Sequence, residues 1–141
     1  AIMRTHARIG ADTIRTVREH APDFSMLKMA EDIASSHHEW YDGTGYPGNL
    51  HTSEIPLSAR IVAVADVYDA VRTKRPYKEA MSHDKAVSII LKSTGTQFDP
   101  AIVEAFIQRA NEFKTLSETL ADSIESRDVC DADVAYATTS P

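Results

Sequence analysis

From Leu57 to Thr73 the chain offers a helix with no clear solvent side. At about 100° per residue, Leu57, Ile61, Val64, Ala65, Tyr68 and Val71 fall on one face. Ala59, Val62, Ala63 and Ala70 make up much of the other. A helix that is apolar all round packs in the middle of a domain. The segment therefore predicts a central helix, and it predicts that Asp66, set among the small residues of the second face, is buried. A carboxylate withdrawn from water needs a cation or hydrogen-bond donors, because an unpaired buried charge is costly.

His37-His38-Glu39 offers such a cation site. A helix is predicted from Phe24 to His38, with Leu27, Ala30, Ile33, Ala34 and His37 on its apolar stripe. That phase turns His37 inward with His38 beside it. Upstream, residues 2–20 read as an amphipathic helix whose stripe is Ile2, His6, Ile9, Thr13, Ile14 and Val17, ended by Ala21-Pro22-Asp23. Imidazoles and a carboxylate together suit a divalent transition metal. Blander readings exist for each residue. Histidines at a helix C-terminus are favoured by the dipole, and Asp66 can cap a neighbouring helix or pair with Arg60.

Residues 41–56 hold Gly43, Gly45, Gly48, Pro47 and Pro56, which is turn chemistry. Long ordered loops of this kind often serve a site. Within it, Asp42 is expected to order its own turn; Glu39 and Trp40 read as structural. Tyr46 is either a packed loop aromatic or a platform for a base or phosphate. Ser82 caps a predicted fourth helix over residues 83–93, with Asp84 in its first turn. Asp99-Pro100 is a start signal for a fifth, with Val103, Phe106, Ile107, Ala110 and Phe113 as its stripe. Leu116, Leu120 and Ile124 extend that pattern. No alternating run marks a sheet, so the expected class is all-α.

Arg72, Lys74, Arg75 and Lys78 crowd one short stretch around Pro76. They read either as a solvated helix end or as a phosphate clamp, since Arg presents a planar fork to phosphate oxygens and Lys a point charge. The whole chain, 141 residues with a formal net charge of −6, is not built for general nucleic-acid binding. With 43% hydrophobic residues it is globular. No apolar run approaches the roughly 18–20 residues that cross a bilayer, and no signal-peptide pattern opens the chain. The single Cys130 excludes an intrachain disulfide and fits a reducing cytoplasm. Residues 1–114 are expected to form one helical domain, and the acidic residues after Lys114 an extension over 115–141 with a fraying end.

Taken in order, His37-His38-Glu39, Asp42-Gly43-Thr44-Gly45-Tyr46-Pro47, the Ala59–Ala70 helix with Asp66, Arg75-Pro76-Tyr77-Lys78 and Gly95-Thr96-Gln97-Phe98-Asp99-Pro100 resemble the HD-GYP family. These are bacterial metal-dependent phosphodiesterases of the HD superfamily that hydrolyse cyclic di-GMP. The resemblance runs from about Met3 to Phe113. It implies an HD-domain-like helical bundle, here the C-terminal part of an HD-GYP domain, with two or three iron or manganese ions in a complete domain. His6, His37, His38 and Asp66 match metal ligands of the family. Tyr46, Arg75 and Lys78 match positions that contact the dinucleotide. The implied reaction opens cyclic di-GMP to linear pGpG or to GMP in second-messenger signalling. Implied partners are the cyclic dinucleotide, diguanylate cyclase (GGDEF) domains and a regulatory domain upstream.

The family's His-Asp pair with a nearby Gly-Lys belongs before His6, and no His-Asp-x-Gly-Lys segment stands in the chain. His83-Asp84 matches as a dipeptide only, at another place. No catalytic residue is therefore assigned. The chain is either a fragment beginning inside the domain, which the opening in mid-helix favours, or a degenerate member. The corresponding rival to hydrolysis is a module that binds cyclic di-GMP or diguanylate cyclases without turnover.

Overall fold

The computed structural model describes residues 5–21, 23–74 and 79–120. They are helical, with no strand among them and one isolated bridge between Thr94 and Phe98. The chain divides into two units, residues 1–108 and 109–141. In the first, α1 (Thr5–His20), α2 (Ser25–Ser36), α3 (Leu57–Arg72), α4 (His83–Lys92) and α5 (Pro100–Gln108) follow in order, with a 3-10 turn at Thr52–Glu54. The described part of the second unit is helical over residues 110–120, with an Arg109–Glu112 ion pair in its first turn. No described helix is long and apolar enough to cross a membrane.

Local side-chain signals account for the starts of α4 and α5. The Ser82 hydroxyl accepts a hydrogen bond from Lys85 N at 3.3 Å, which caps α4. Asp99 caps α5 by accepting from Ala101 N at 2.9 Å, with Pro100 as the first helical residue. The other oxygen of Asp99 takes the Arg60 guanidinium, whose Nε also donates to Ile55 O at 3.0 Å. This ion pair ties α3 to the start of α5. It gives Arg60 a partner other than Asp66.

The packing order runs α1 on α2, α2 on α3, and α3 on both α4 and α5. Helix α3 is thus central, as its composition predicts. The apolar core gathers Ala59, Val64, Tyr68 and Val71 of α3 with Ala86 and Ile90 of α4, Val103 and Phe106 of α5, and the loop residues Ile55 and Phe98. Tyr68 Oη lies 2.9 Å from His83 Nδ1 and its ring packs edge-on to Phe106.

Two expectations about faces are corrected. Asp66 is exposed, and so are Leu57 and Ile61, at 56% and 49%. Helix α3 is buried on one face, at Ala59, Ala63, Val64, Tyr68 and Val71, and not all round. Val62 and Asp66 instead line an open hollow of about 470 Å³ with Ile14, Ala30, Ile33, Ala34 and His37. Small side chains on facing helices leave space there, and water reaches the carboxylate. Helix α1 also turns differently from its predicted stripe. Ile9 and Val17 are exposed, while Ala7 and Ala11 are buried. Alanines let α1 approach α2 closely: a Cβ at Gly10 would meet only Ala34 Cβ, at 3.8 Å. The polar complement is Glu31, buried on α2, which accepts from Arg15 Nε at 2.8 Å and Arg18 Nε at 2.9 Å.

Candidate metal centre

His6 sits in the first turns of α1; His37 and His38 follow directly on α2. The Arg15/Arg18–Glu31 clamp and the alanine contact hold these helices together, so His6 is carried to the end of α2. One ring nitrogen of each of His6, His37 and His38 lies within 4.8 Å of the others. His38 Nε2 and His6 Nε2 are 3.1 Å apart. The His37 Nδ1 lies 2.9 Å from Ile33 O. That carbonyl can only accept, so His37 carries its proton on Nδ1 and presents an Nε2 lone pair.

Burial, the neighbouring His37 and His6, and a weaker opposing pull from Asp66 together set the His38 charge. The net effect lowers its pKa below the ordinary histidine value and favours the neutral, metal-ligating form. The donor set fits a transition metal. Two nitrogens each about 2.0–2.1 Å from one ion stand roughly 3–3.4 Å apart, and imidazole suits zinc, copper, iron and nickel. Asp66 lies outside this donor group among the described residues. It faces the same hollow as His37 and acts on His38 through charge. Among the described residues the cluster of nearby donor atoms consists of three imidazoles, and Asp66, exposed and not buried as expected, stands beside it.

The loop after His38 folds back over it. Tyr46 stacks on the His38 ring with centroids 4.8 Å apart and planes at 30°. Its backbone N donates to His38 O at 3.1 Å, and the Tyr46-Pro47 peptide is cis. Gly45 lies so close to the Glu39–Trp40 backbone that a Cβ would sit 2.2 Å from Trp40 N. Asp42 orders its turn as expected, accepting from Thr44 N at 2.9 Å and from the Thr44 hydroxyl at 2.7 Å. These bonds hold its carboxyl below the usual range. Glu39 is buried at 3% exposure; its carboxylate accepts from Gly48 N and, at 3.1 Å, from Leu50 N. On its outer side the loop hangs on the α4–α5 turn through Tyr41 N to Gln97 O and Asp42 N to Thr96 O.

Of the predicted site residues, His6, His37 and His38 converge and Tyr46 joins them. Arg75 and Lys78 lie outside the described residues. In the same basic stretch Arg72 donates to Met81 O at 2.9 Å and Lys74 pairs with Glu79 at 3.2 Å. His83 is engaged with Tyr68, not with the cluster. The Glu31 clamp was missed at the sequence level. Its signal was an acid next to the apolar stripe of α2 facing two arginines three residues apart on α1.

A family model described as an HD domain matches residues 2–102. The chain belongs to the HD-domain family. A cyclic di-GMP phosphodiesterase of Vibrio cholerae serotype O1 is 46% identical over 122 residues, which are 86% of this chain and 25% of the relative. A 3'3'-cGAMP-specific phosphodiesterase of the same organism is 34% identical over 122 residues, 86% of this chain and 22% of the relative. Among solved structures, a cyclic GMP-AMP-specific phosphodiesterase of V. cholerae aligns with a TM-score of 0.64 and 28% identity, over 88% of this chain and 27% of that one. With its Gly45-Tyr46-Pro47 loop and these relatives, this HD domain is of the HD-GYP type. It spans about a quarter of the length of the curated relatives it matches. HD-domain phosphodiesterases are metal-dependent, and among the described residues the imidazole cluster is a group of donors that could hold a metal.

Proposed function

We propose that this HD domain is the metal-holding and loop-bearing part of a cyclic di-GMP phosphodiesterase, acting in bacterial second-messenger signalling within a longer protein. The observation that carries this reading is the convergence of His6, His37 and His38 under the stacked Tyr46. The relatives' names support cyclic di-GMP first and a mixed cyclic GMP-AMP dinucleotide second. In this reading His6, His37 and His38 hold iron or manganese, two or three ions being the complement of a complete domain. Asp66, which lines the same hollow as His37, supplies the anionic charge that imidazole ligands lack. The bound metal supplies Lewis acidity and a water acidic enough to attack at neutral pH.

The rest falls to this chain's own residues. His37, fixed through Ile33 O, keeps its lone pair aimed into the cluster. Tyr46 offers an aromatic face at the rim on which a nucleotide can stack. Arg75 and Lys78 hold the phosphates, the first as a fork and the second as a point charge. Water adds to phosphorus, one P–O ester bond breaks, and the leaving sugar oxygen takes a proton. Hydrolysis of one ester gives linear pGpG, and hydrolysis of both gives GMP. No general acid is assigned within this chain. Residues 1–114 make up the HD part in this reading, residues 115–141 an acidic extension, and the setting is the cytoplasm. An upstream regulatory domain and GGDEF partners complete the signalling role.

A second reading has its own support. The chain has no His-Asp-x-Gly-Lys segment, and no carboxylate joins the imidazoles among the described residues. A module that binds cyclic di-GMP or a diguanylate cyclase without turnover needs neither. One experiment separates the two: metal content and turnover of cyclic di-GMP by the longer protein, beside its Asp66→Asn and Arg75→Ala variants. Asp66→Asn is expected to abolish turnover and reduce metal. Arg75→Ala should weaken dinucleotide binding by about 1.5–3 kcal/mol, the worth of a charge-assisted contact. A metal-loaded parent that binds cyclic di-GMP and never hydrolyses it would leave the binding module in place of the enzyme.

A further inference from the structure

We propose that Glu39 is a positioning residue: its buried carboxylate pins the loop that stacks Tyr46 on His38. Glu39 follows the two histidines directly, where a third metal ligand or a general base is an obvious guess. The geometry points elsewhere. Both carboxylate oxygens are spent on backbone N–H groups, one on Gly48 and one on Leu50. The side chain is turned into the loop and is buried there.

The loop has other attachments, at its entry, within its turn and just past its far limb. Tyr41 and Asp42 hang on Gln97 and Thr96 at its entry. Asn49 Nδ2 donates to Gly45 O at 2.8 Å, which closes the turn on itself but ties it to nothing outside. Thr52 N donates to Tyr41 O at 3.0 Å just past residues 48–50; within them, the Gly48 and Leu50 N–H groups are held by Glu39, next to the histidines. Tyr46 lies between these anchors, with its ring on His38 and its N–H on His38 O. A carboxylate accepts at both oxygens, and an amide at one only. Glu39→Gln is nearly isosteric, yet it sets an NH₂ against one of the two loop N–H groups. The loop must then shift, and Tyr46 with it. His38 loses the wall that limits its ring rotation. This role depends on the imidazole geometry and not on the substrate.

The test reads the His38 ring directly, in the whole chain with histidine labelled with carbon-13. Tyr46→Leu removes the ring current over His38 and so defines the displaced resonance. Glu39→Gln is expected to move the His38 resonances in the same direction, with those of His20 and His83 unmoved. Ile90→Val is the stability control: it should lower the melting temperature and leave His38 in place. Cobalt(II) titration gives the second readout. Glu39→Gln should weaken cobalt binding by about 10-fold, the low end for residues that orient metal ligands, and Glu39→Asp, which keeps the charge but loses reach, by less. Folded Glu39→Gln with an unmoved His38 overturns the role. So does failure of both Glu39 variants to fold, which would make Glu39 a determinant of folding. The resonance measurement uses neither metal nor substrate, so it can fail while the hydrolase reading stands, and the converse.

Discussion

Replacing Gly45 with alanine tests whether the loop is seated on the His38–Trp40 backbone as described. The added Cβ would lie 2.2 Å from Trp40 N and 2.6 Å from both Glu39 C and Glu39 Cα. All three are backbone atoms just beyond α2, so no side-chain rotation relieves the overlap. Either the loop lifts, which forfeits the Glu39 bonds to Gly48 and Leu50, or the end of α2 bends and moves the histidines. Overpacking a well-packed site costs about 1–3 kcal/mol, and immovable neighbours place this case at about 3 kcal/mol or beyond. For a domain of this size that is a fall in melting temperature of roughly 12 °C or more, at about 4–8 °C per kcal/mol. Gly10→Ala is the matched opposite. Its Cβ meets only Ala34 Cβ at ordinary contact distance inside α1, and a glycine-to-alanine change within a helix gains about 0.5–1 kcal/mol. Thermal unfolding followed by circular dichroism, in chelator so that metal does not contribute, should separate the two in sign. A Gly45→Ala chain that melts with the parent would refute the close seating of the loop.

Three further outcomes are expected. Hydrogen bonds from Arg15 and Arg18 hold Glu31 below its ordinary pKa; the stability this lends is complete above the usual glutamate value of about 4.3 and is lost as pH falls through the lower folded value. Glu31→Gln should therefore lower the melting temperature at neutral pH and flatten its fall in acid, as a pH series of melts would show. Asp99→Asn keeps an oxygen to cap α5 but surrenders the Arg60 ion pair, while Asp99→Ala loses both, so chemical denaturation should find alanine the worse by about 1 kcal/mol, the worth of a cap. Metal binding at the cluster requires unprotonated imidazole, and His38 has a lowered pKa; proton competition at His38 should thus set in below the ordinary value of about 6.5, and a cobalt titration in which His38 protonates above that value would contradict the burial assigned to it.

What the sequence determined by itself is local. Ser82 and Asp99-Pro100 mark the starts of α4 and α5 because a cap is satisfied by N–H groups two or three residues away. Asp42 orders its turn through Thr44 for the same reason. His37 and His38 came out in the right phase because four half-buried neighbours on α2 share the stripe with His37. The order of motifs, read as a resemblance, reached the HD-GYP type without any coordinates. Tertiary structure alone decided which apolar faces are covered. A helical projection counts Leu57, Ile61 and Val62 as apolar but cannot say that α2 meets α3 across small side chains and leaves a hollow, with Asp66 in water. Alanines took the buried face of α1 from Ile9 and Val17 because close helix approach favours small residues over large ones. Arg60 chose Asp99, thirty-nine positions along the chain, over Asp66. Glu31 and Glu39 found their partners on another helix and in a folded loop. Such pairings depend on the approach of distant segments, which the spacing along one segment does not encode.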